Sequence, residues 1–404
     1  MLPSRPVMEG TPAPASILVV RLGAVGDVIR TLPAVSCLRR SYPRARIGWA
    51  VEEPSREILE GHPDIDEVFV LSRRTLKAGL TPAGAGPAAT HVRGYLHALH
   101  ESGFEWAVDF QGTLKSALIA RRSGARRVFG LGRGHAREYA HLLYTDPVAI
   151  PPDHGGMEGS VIPQARMSRT ARALRLVSAL GADISAPRVA LPVWEEAATT
   201  ARRFLDNAAP GRPRVLIFPG TSEAQAFKRY PAALFARMAD GIVDGFSSTG
   251  GGTVIIGWGP GERPIAEEVV RSMRRAGLLA PPTRLRELGE ILRQCDLFIG
   301  SDTGPMHLAA AVGVPIVSLY GPTDPEVNAP YTEAPHLSFV GDVTCRPCRN
   351  RGCQNRSCLR LIDPEMVSRR AVELLPACGP GVLKAPSASP ISLDQGPGRG
   401  ATSS

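Results

Sequence analysis

A carboxylate and a lysine, each just beyond a short apolar run, are the residues of this chain best suited to chemistry. Asp27 stands in RLGAVGDVIRTLP (residues 21–33), where Gly23 and Gly26 flank a tight turn and a helical pattern begins. The partial positive charge of a helix start stabilises a carboxylate anion there. Ionised at pH 7, it can accept a proton from a hydroxyl; the same position also suits a plain helix cap. Lys228 stands in FPGTSEAQAFKRYP (residues 218–231), where Gly220, Thr221 and Ser222 offer backbone and hydroxyl donors. Its ammonium can set a point charge beside a phosphate, or stand as an exposed loop lysine.

Two further segments have the same form. GSDTGPMHLAAAVGVPIVSLYGPTDP (residues 300–325) reads as strand, polar turn, helix and strand. Unpaired N–H groups at such a helix start favour an anion, with Asp302, Thr303, Gly304 and His307 nearby. An ordinary capping turn, with Asp302 or Thr303 as the cap, is the alternative. GWGPGE (residues 257–262) ends in Glu262, which can accept hydrogen bonds from ribose hydroxyls or act as a first-turn helix charge.

Positioning these turns requires strands that end where they begin. Apolar runs at 17–20, 47–51, 67–71 and 106–110 read as strands, and 27–38, 92–102, 114–122 and 166–180 as helices. The pattern restarts with strands at 215–218, 253–256 and 297–299 and helices at 232–240, 265–276 and 285–294. Strands alternating with helices predict an α/β fold with parallel, doubly wound sheets. Two such halves predict Rossmann-like domains over 16–186 and 187–378, facing a cleft. Residues 77–90, rich in Gly, Ala and Pro, read as a mobile loop. Residues 147–159 read as irregular and 379–404 as a disordered tail. The missing GxGxxG in the first turn argues against a dinucleotide oxidoreductase.

The 404 residues are too many for one core and suit two domains. No apolar run reaches the ~20 residues of a membrane span. Residues 1–15 show no secretory h-region, so a cytoplasmic protein is expected. The net charge of +9 leans toward the N-terminal half, with 23 basic against 17 acidic residues before Pro187. Arg121, Arg122, Arg126, Arg127, Arg133 and Arg137 lie close together in sequence. They suit an acidic small molecule, a phosphorylated lipid or an anionic bilayer, or form a solvated basic face. Nucleic acid is not expected, because Phe129 is the one Phe, Tyr or Trp among them, too few for a base-stacking platform.

With these motifs in order, the chain resembles the bacterial ADP-heptose:lipopolysaccharide heptosyltransferases, glycosyltransferase family 9. The resemblance rests on RLGAVGDVIRTLP, VDFQGTLKSALIARR (residues 108–122), the Lys228 loop and SDTGPMHLAAAVGVPIVSLYGPTDP, and runs over about residues 17–375. VEEP (residues 51–54) and DFQG resemble the first-heptose branch. The resemblance implies a GT-B fold, with acceptor in the N-terminal domain and ADP-sugar in the C-terminal one. It implies metal-independent, inverting transfer, with Asp27 as general base and Lys228 stabilising the departing diphosphate. It places Thr221, Ser222, Asp302, Thr303, Gly304 and His307 around the phosphates and sugar, and Glu262 on the ribose. Gly26, Lys115, Arg121, Arg122, Arg133 and Arg137 fall to an anionic glycolipid acceptor, near the cytoplasmic face of the inner membrane. Other family members with a different nucleotide sugar or acceptor, and a sugar-nucleotide binder without turnover, are the competing readings.

Cys345, Cys348, Cys353 and Cys358 form C-x2-C-x4-C-x4-C in a basic segment. Four thiols can hold structural zinc tetrahedrally, and nearby arginines favour thiolates; reduced thiols or redox pairing are the alternatives.

Overall fold

The computed structural model describes residues 12–78, 81–150, 167–246, 251–348 and 350–375. The expected tail at 379–404 and most of the irregular segment at 147–159 lie outside them. Twelve strands form two six-stranded parallel sheets among the described residues. The first contains β1 (Ser16–Val20), β2 (Arg46–Glu52), β3 (Glu67–Leu71), β4 (Trp106–Asp109), β5 (Arg127–Leu131) and β6 (Asp146–Val148) in the order β3-β2-β1-β4-β5-β6. The second contains β7 (Arg214–Phe218), β8 (Thr253–Ile256), β9 (Leu278–Leu279), β10 (Leu297–Ser301), β11 (Ile316–Tyr320) and β12 (His336–Val340) in the order β12-β11-β10-β7-β8-β9.

Both sheets are doubly wound. β1 is apolar on every residue because both its faces are covered. Ile17 and Val19 point into one core cluster, and Leu18 and Val20 into another on the opposite side. Each sheet reverses direction once, between β1 and β4 in the first and between β7 and β10 in the second. A crevice opens at the carboxyl edge of such a switch point. The Arg21–Asp27 turn follows β1, Gln111 follows β4, Thr221 follows β7 and Asp302 follows β10, so the motifs occupy both switch points.

Several expectations change. Residues 77–90 are mostly helical: Arg73–Ala78 and Pro82–Glu101 are helices. The Thr81 side chain accepts a hydrogen bond from the Gly84 N–H and starts the second one. This cap, with several alanines, outweighs the glycines that suggested a loop. β5, β6, β9 and β12 have no counterpart in the sequence reading. They are short or lie toward sheet edges, where period and length give little signal. β6 carries Pro147, which an edge strand tolerates.

The two lobes share one apolar cluster. It includes Val28 and Leu32 of the Val25–Ser41 helix, Leu174 and Val177, Ala201 and Leu205, and Met306 and Leu308. Polar ties cross between lobes as well. Arg286 donates to the Glu57 and Glu60 carbonyls, and Arg30 reaches Asn328 Oδ1 at 3.4 Å. At the closest approach, the Val25–Ser41 and Gly304–Ala311 helices meet by their N-terminal turns. A Cβ on Gly26 would lie 2.5 Å from His307 Cδ2, and a Cβ on Gly304 would lie 3.4 Å from Val25 Cβ. His307 is buried, and the overlapping atom belongs to its rigid ring. We therefore expect Gly26→Ala to destabilise the folded state by about 1–3 kcal/mol through overpacking. Urea denaturation would show this as a lower midpoint at unchanged slope; an unchanged midpoint would mean that the helices separate freely.

Candidate active site

Between the lobes lies a cavity of about 840 Å³. The N-terminal lobe contributes Arg21, Asp27, Arg30, Gln111, Arg137, Arg169 and Arg172. Gln225, Phe227, Lys228, Asp324, Asn328 and Arg351 face them from the other lobe. Asp27 and Lys228 thus line one space from opposite walls.

Each element delivers its side chain for a local reason. The β4 turn is organised by buried Asp109, whose carboxylate accepts from the Gln111 and Gly112 N–H groups, Ser116 Oγ and Tyr144 OH. Gly112 has φ +68°, the left-handed region that glycine enters without strain. The Gln111 side chain then accepts from the Leu22 N–H at 2.9 Å, and Arg21 donates to the Phe110 carbonyl at 2.7 Å. These bonds join the turns after β1 and β4. They aim the other arm of Arg21 at Asp27 Oδ2, 2.7 Å away.

Three arginines surround Asp27. Arg21 holds one oxygen; Arg30, one helical turn on, contacts the other, and Arg169 stands 3.6 Å from that same oxygen. Burial alone pushes the carboxyl pKa up, but Arg21, Arg30 and Arg169 outweigh it and hold Asp27 far below the usual carboxylate range. Asp27 is therefore an anion at neutral pH.

On the opposite wall, Lys228 Nζ lies 2.8 Å from Asp302 Oδ2. Burial raises the Asp302 carboxyl, and His307 and Lys228 overcome that and depress it strongly. Asp302 was expected around the phosphates and sugar; its observed partner is the lysine, and a carboxylate in this position favours a sugar hydroxyl over a phosphate as a further neighbour. Broken pairs of this kind cost about 3–5 kcal/mol, because one charge remains buried. His307 also moves from its expected place. Its ring is wedged between the lobes against Gly26, and Nε2 is 3.8 Å from Asp302 Oδ1. Burial and the Arg30 charge lower its pKa to about 4, so the ring is neutral at pH 7.

Gly304 opens its helix behind Thr303, whose side chain makes no capping bond. The first N–H groups therefore have no side-chain acceptor from the cap. Thr221 Oγ1, Ser301 Oγ and Thr323 Oγ1 are buried without a protein partner, at the carboxyl ends of the adjacent strands β7, β10 and β11. Unpaired buried hydroxyls on one sheet edge are what a polar ligand would satisfy. Ser222 is exposed beside Thr221. Glu262 accepts from the Gly259 N–H at 3.0 Å and leaves no space for a Cβ on Gly220, so it braces two glycine turns. Burial raises its pKa, opposed by that N–H and by Arg229.

The acceptor residues divide. Lys115 pairs with Glu52 at 2.5 Å, near the end of β2. Gly26 is a packing position between lobes. Arg133 and Arg137 follow β5 at the carboxyl edge, and Arg137 lines the cavity. Arg121, Arg122, Arg126 and Arg127 do not belong with them. They lie at the end of the Leu114–Arg122 helix and the start of β5, which a parallel crossover places at the opposite edge of the sheet. Arg127 is engaged by Asp146 at 2.6 Å. Arg21, Arg30, Arg169, Arg172, Gln225 and Arg351 were absent from the sequence reading. Arg30 alone carried a local signal, three residues after Asp27 on one helix face.

Cys345, Cys348 and Cys353 are at least partly accessible, and Cys358 is buried. Among the described residues no three His, Cys, Asp or Glu side chains are already gathered as a metal-ligand set. The cysteine segment instead braces the cavity wall. Cys348 N–H donates to the Pro322 carbonyl at 2.8 Å, Arg346 donates to the Thr323 carbonyl at 2.9 Å, and Arg351 stacks near Phe227.

Two doubly wound lobes, with a carboxylate and a cation on facing walls of one cavity between them, have the architecture of a GT-B glycosyltransferase. The sequence places it further: residues 92–359 match the model of glycosyltransferase family 9 (heptosyltransferase), and the chain belongs to that family. Lipopolysaccharide heptosyltransferase 1 of Pseudomonas aeruginosa is 30% identical over 339 residues, 83% of this chain and 87% of that protein. Lipopolysaccharide heptosyltransferase 3 of Escherichia coli K12 is 26% identical over 88% of this chain and 96% of its own length. The structure of E. coli heptosyltransferase WaaC with ADP superposes with a TM-score of 0.66 at 21% identity, covering 89% of this chain and 99% of that one.

Proposed function

We propose that this enzyme transfers heptose from ADP-heptose to the Kdo-containing inner core of lipopolysaccharide, with inversion and without a catalytic metal. The observation that carries the reading is the single cavity lined by Asp27 and Lys228 from opposite lobes. The acceptor hydroxyl attacks the anomeric carbon, and its proton passes to an Asp27 oxygen. The bond from that carbon to the diphosphate breaks, and its electron pair leaves on the phosphate oxygen. Lys228, held by Asp302, and the open N–H groups of the Gly304 helix stabilise that charge. The named relatives are lipopolysaccharide heptosyltransferases, which favours this donor and acceptor over others.

Two substitutions test the division of labour. Asp27→Asn should bind ADP-heptose with unchanged Kd and lose kcat by several powers of ten, because no other group takes the proton. Lys228→Ala should lower kcat by about 10²–10³-fold, the usual loss of one charge-stabilising donor. Both are read by ADP release with EDTA present. An active Asp27→Asn enzyme would remove the base assignment, and loss of wild-type activity in EDTA would remove the metal-free one.

The acceptor is lipid-anchored, so the reaction is placed at the cytoplasmic face of the inner membrane. One surface supports this. Leu114 and Leu118 are 44% and 42% exposed on one helix face, beside Tyr139 at 77% and Leu142 at 72%. Arg121 and Arg122 continue the stripe at helical spacing. Exposed apolar residues beside cations suit an anionic bilayer. The wild type should sediment with phosphatidylglycerol vesicles and not with phosphatidylcholine. A Leu118→Glu/Leu142→Glu variant should stay in solution while keeping activity on a delipidated acceptor. Equal sedimentation of both proteins would remove the surface from consideration.

Structural zinc at Cys345, Cys348, Cys353 and Cys358 is a separate proposal. These thiols are close enough for the other three to raise the Cys358 thiol, after burial, with Arg346 opposing. Zinc would draw the segment together as it binds and stiffen the wall that carries Arg351. Anaerobically purified protein should contain about one equivalent, lost on Cys345→Ser/Cys348→Ser; none in the wild type would dismiss the site.

A further inference from the structure

The proposed base is held where it is least basic, and the three arginines that hold it are not equivalent. Arg21 is buried and tied at its other arm to the Phe110 carbonyl at 2.7 Å. Arg30 is buried and reaches Asn328 Oδ1 across the cleft. Arg169 differs in each respect. It is the first residue of its helix, its side chain is 42% exposed, and its contact with Asp27 Oδ1, at 3.6 Å, is the longest of the three. It is the guanidinium that can leave Asp27 without disturbing the core.

Its surroundings favour leaving toward an anion. Arg137 and Arg172 line the same wall, and the Arg172 pKa is lowered by burial and then by Arg169, Arg21 and Arg137. Such mutual repulsion is relieved by an added negative charge. Asp27 feels Arg21 from the turn after β1, Arg30 from its own helix, Arg169 from the facing helix and the neutral His307 ring from the other lobe. Asp109, beneath Arg21, is occupied by its own hydrogen bonds.

We infer that Arg169 is a releasable positioning residue: it caps Asp27, and a carboxylate or phosphate of the arriving acceptor draws it away. Asp27 then regains basicity at the moment when a hydroxyl is beside it, and the proton of that hydroxyl moves to Asp27 as the C–O bond forms. The acceptor's charge thereby contributes to turnover as well as to binding. This rests on the heptosyl-transfer reading above.

The test compares a Kdo-lipid acceptor bearing free carboxylates with the same glycolipid reduced to alcohols, using wild type, Arg169→Gln and Arg169→Lys at neutral pH. Wild type should show kcat about tenfold higher on the charged acceptor. Release of one guanidinium at this distance is expected to raise the Asp27 pKa by about one unit, while Asp27 stays ionised. Arg169→Gln should give equal kcat on both acceptors and a raised KM for the charged one. Arg169→Lys, which keeps the charge, should retain the preference. If Arg169→Gln raises KM alone and leaves the kcat ratio as in wild type, Arg169 is only an anion-binding residue and the inference is overturned. No transfer by wild type to either acceptor overturns the functional reading, and the inference with it. Arg169 is half exposed, so its variants should fold; circular dichroism checks this.

Discussion

Two helix starts can meet only where no side chain stands between them. The Val25–Ser41 and Gly304–Ala311 helices approach so closely at Gly26 that even a methyl group would overlap the His307 ring. Each helix begins at the carboxyl edge of its own sheet, beside a switch point. Their contact therefore fixes the distance between the two crevices and makes them one cavity. A larger residue at Gly26 would move Asp27 relative to Lys228, and the shared site depends on that separation. The glycine required here acts through van der Waals volume rather than through backbone freedom, since only close approach is at stake.

The same contact explains the charge arrangement. Helix starts carry positive partial charge, and two of them share this interface. His307 lies between them and is kept neutral by burial and by Arg30. A protonated ring would add a third positive centre to a buried position. Asp27 and Asp302 supply the compensating negative charge, one on each side, and each is held by cations of its own lobe. The charges of the site are thus satisfied in pairs. Substrates must exchange for protein partners one at a time, and the group with the weakest hold is the one that exchanges.

The fold was legible because the apolar runs of β1, β4, β7 and β10 are central, buried on both faces and uninterrupted. The strands that escaped notice are short or lie outward in the sheets, where fewer neighbours demand apolar side chains. Asp27 and Lys228 were legible because both follow central strands. The arginines around Asp27 were not. Arg21, Arg30 and Arg169 are scattered in sequence and converge only through the turn after β4 and the Arg169–Ala179 helix. The run from Arg121 to Arg137 misled for the opposite reason: its members are neighbours in sequence, but one strand crosses the whole sheet between Arg127 and Arg133 and separates them.

Asp302 shows how a motif can place a residue while leaving its protein partner unread. Its position after β10 suggested contact with phosphate or sugar, as the helix start beside it does. Yet a buried carboxylate at that point is tolerable only if a cation lies against it, and Lys228 is that cation. The pair keeps a flexible lysine in a fixed direction at a wall where buried hydroxyls of Thr221, Ser301 and Thr323 lack protein partners. Without Asp302 the lysine would have many rotamers and no reason to face the cavity. With it, the ammonium needs little reorganisation when a diphosphate departs, and preorganisation of this kind is what makes a single charge effective in a poorly solvated cleft.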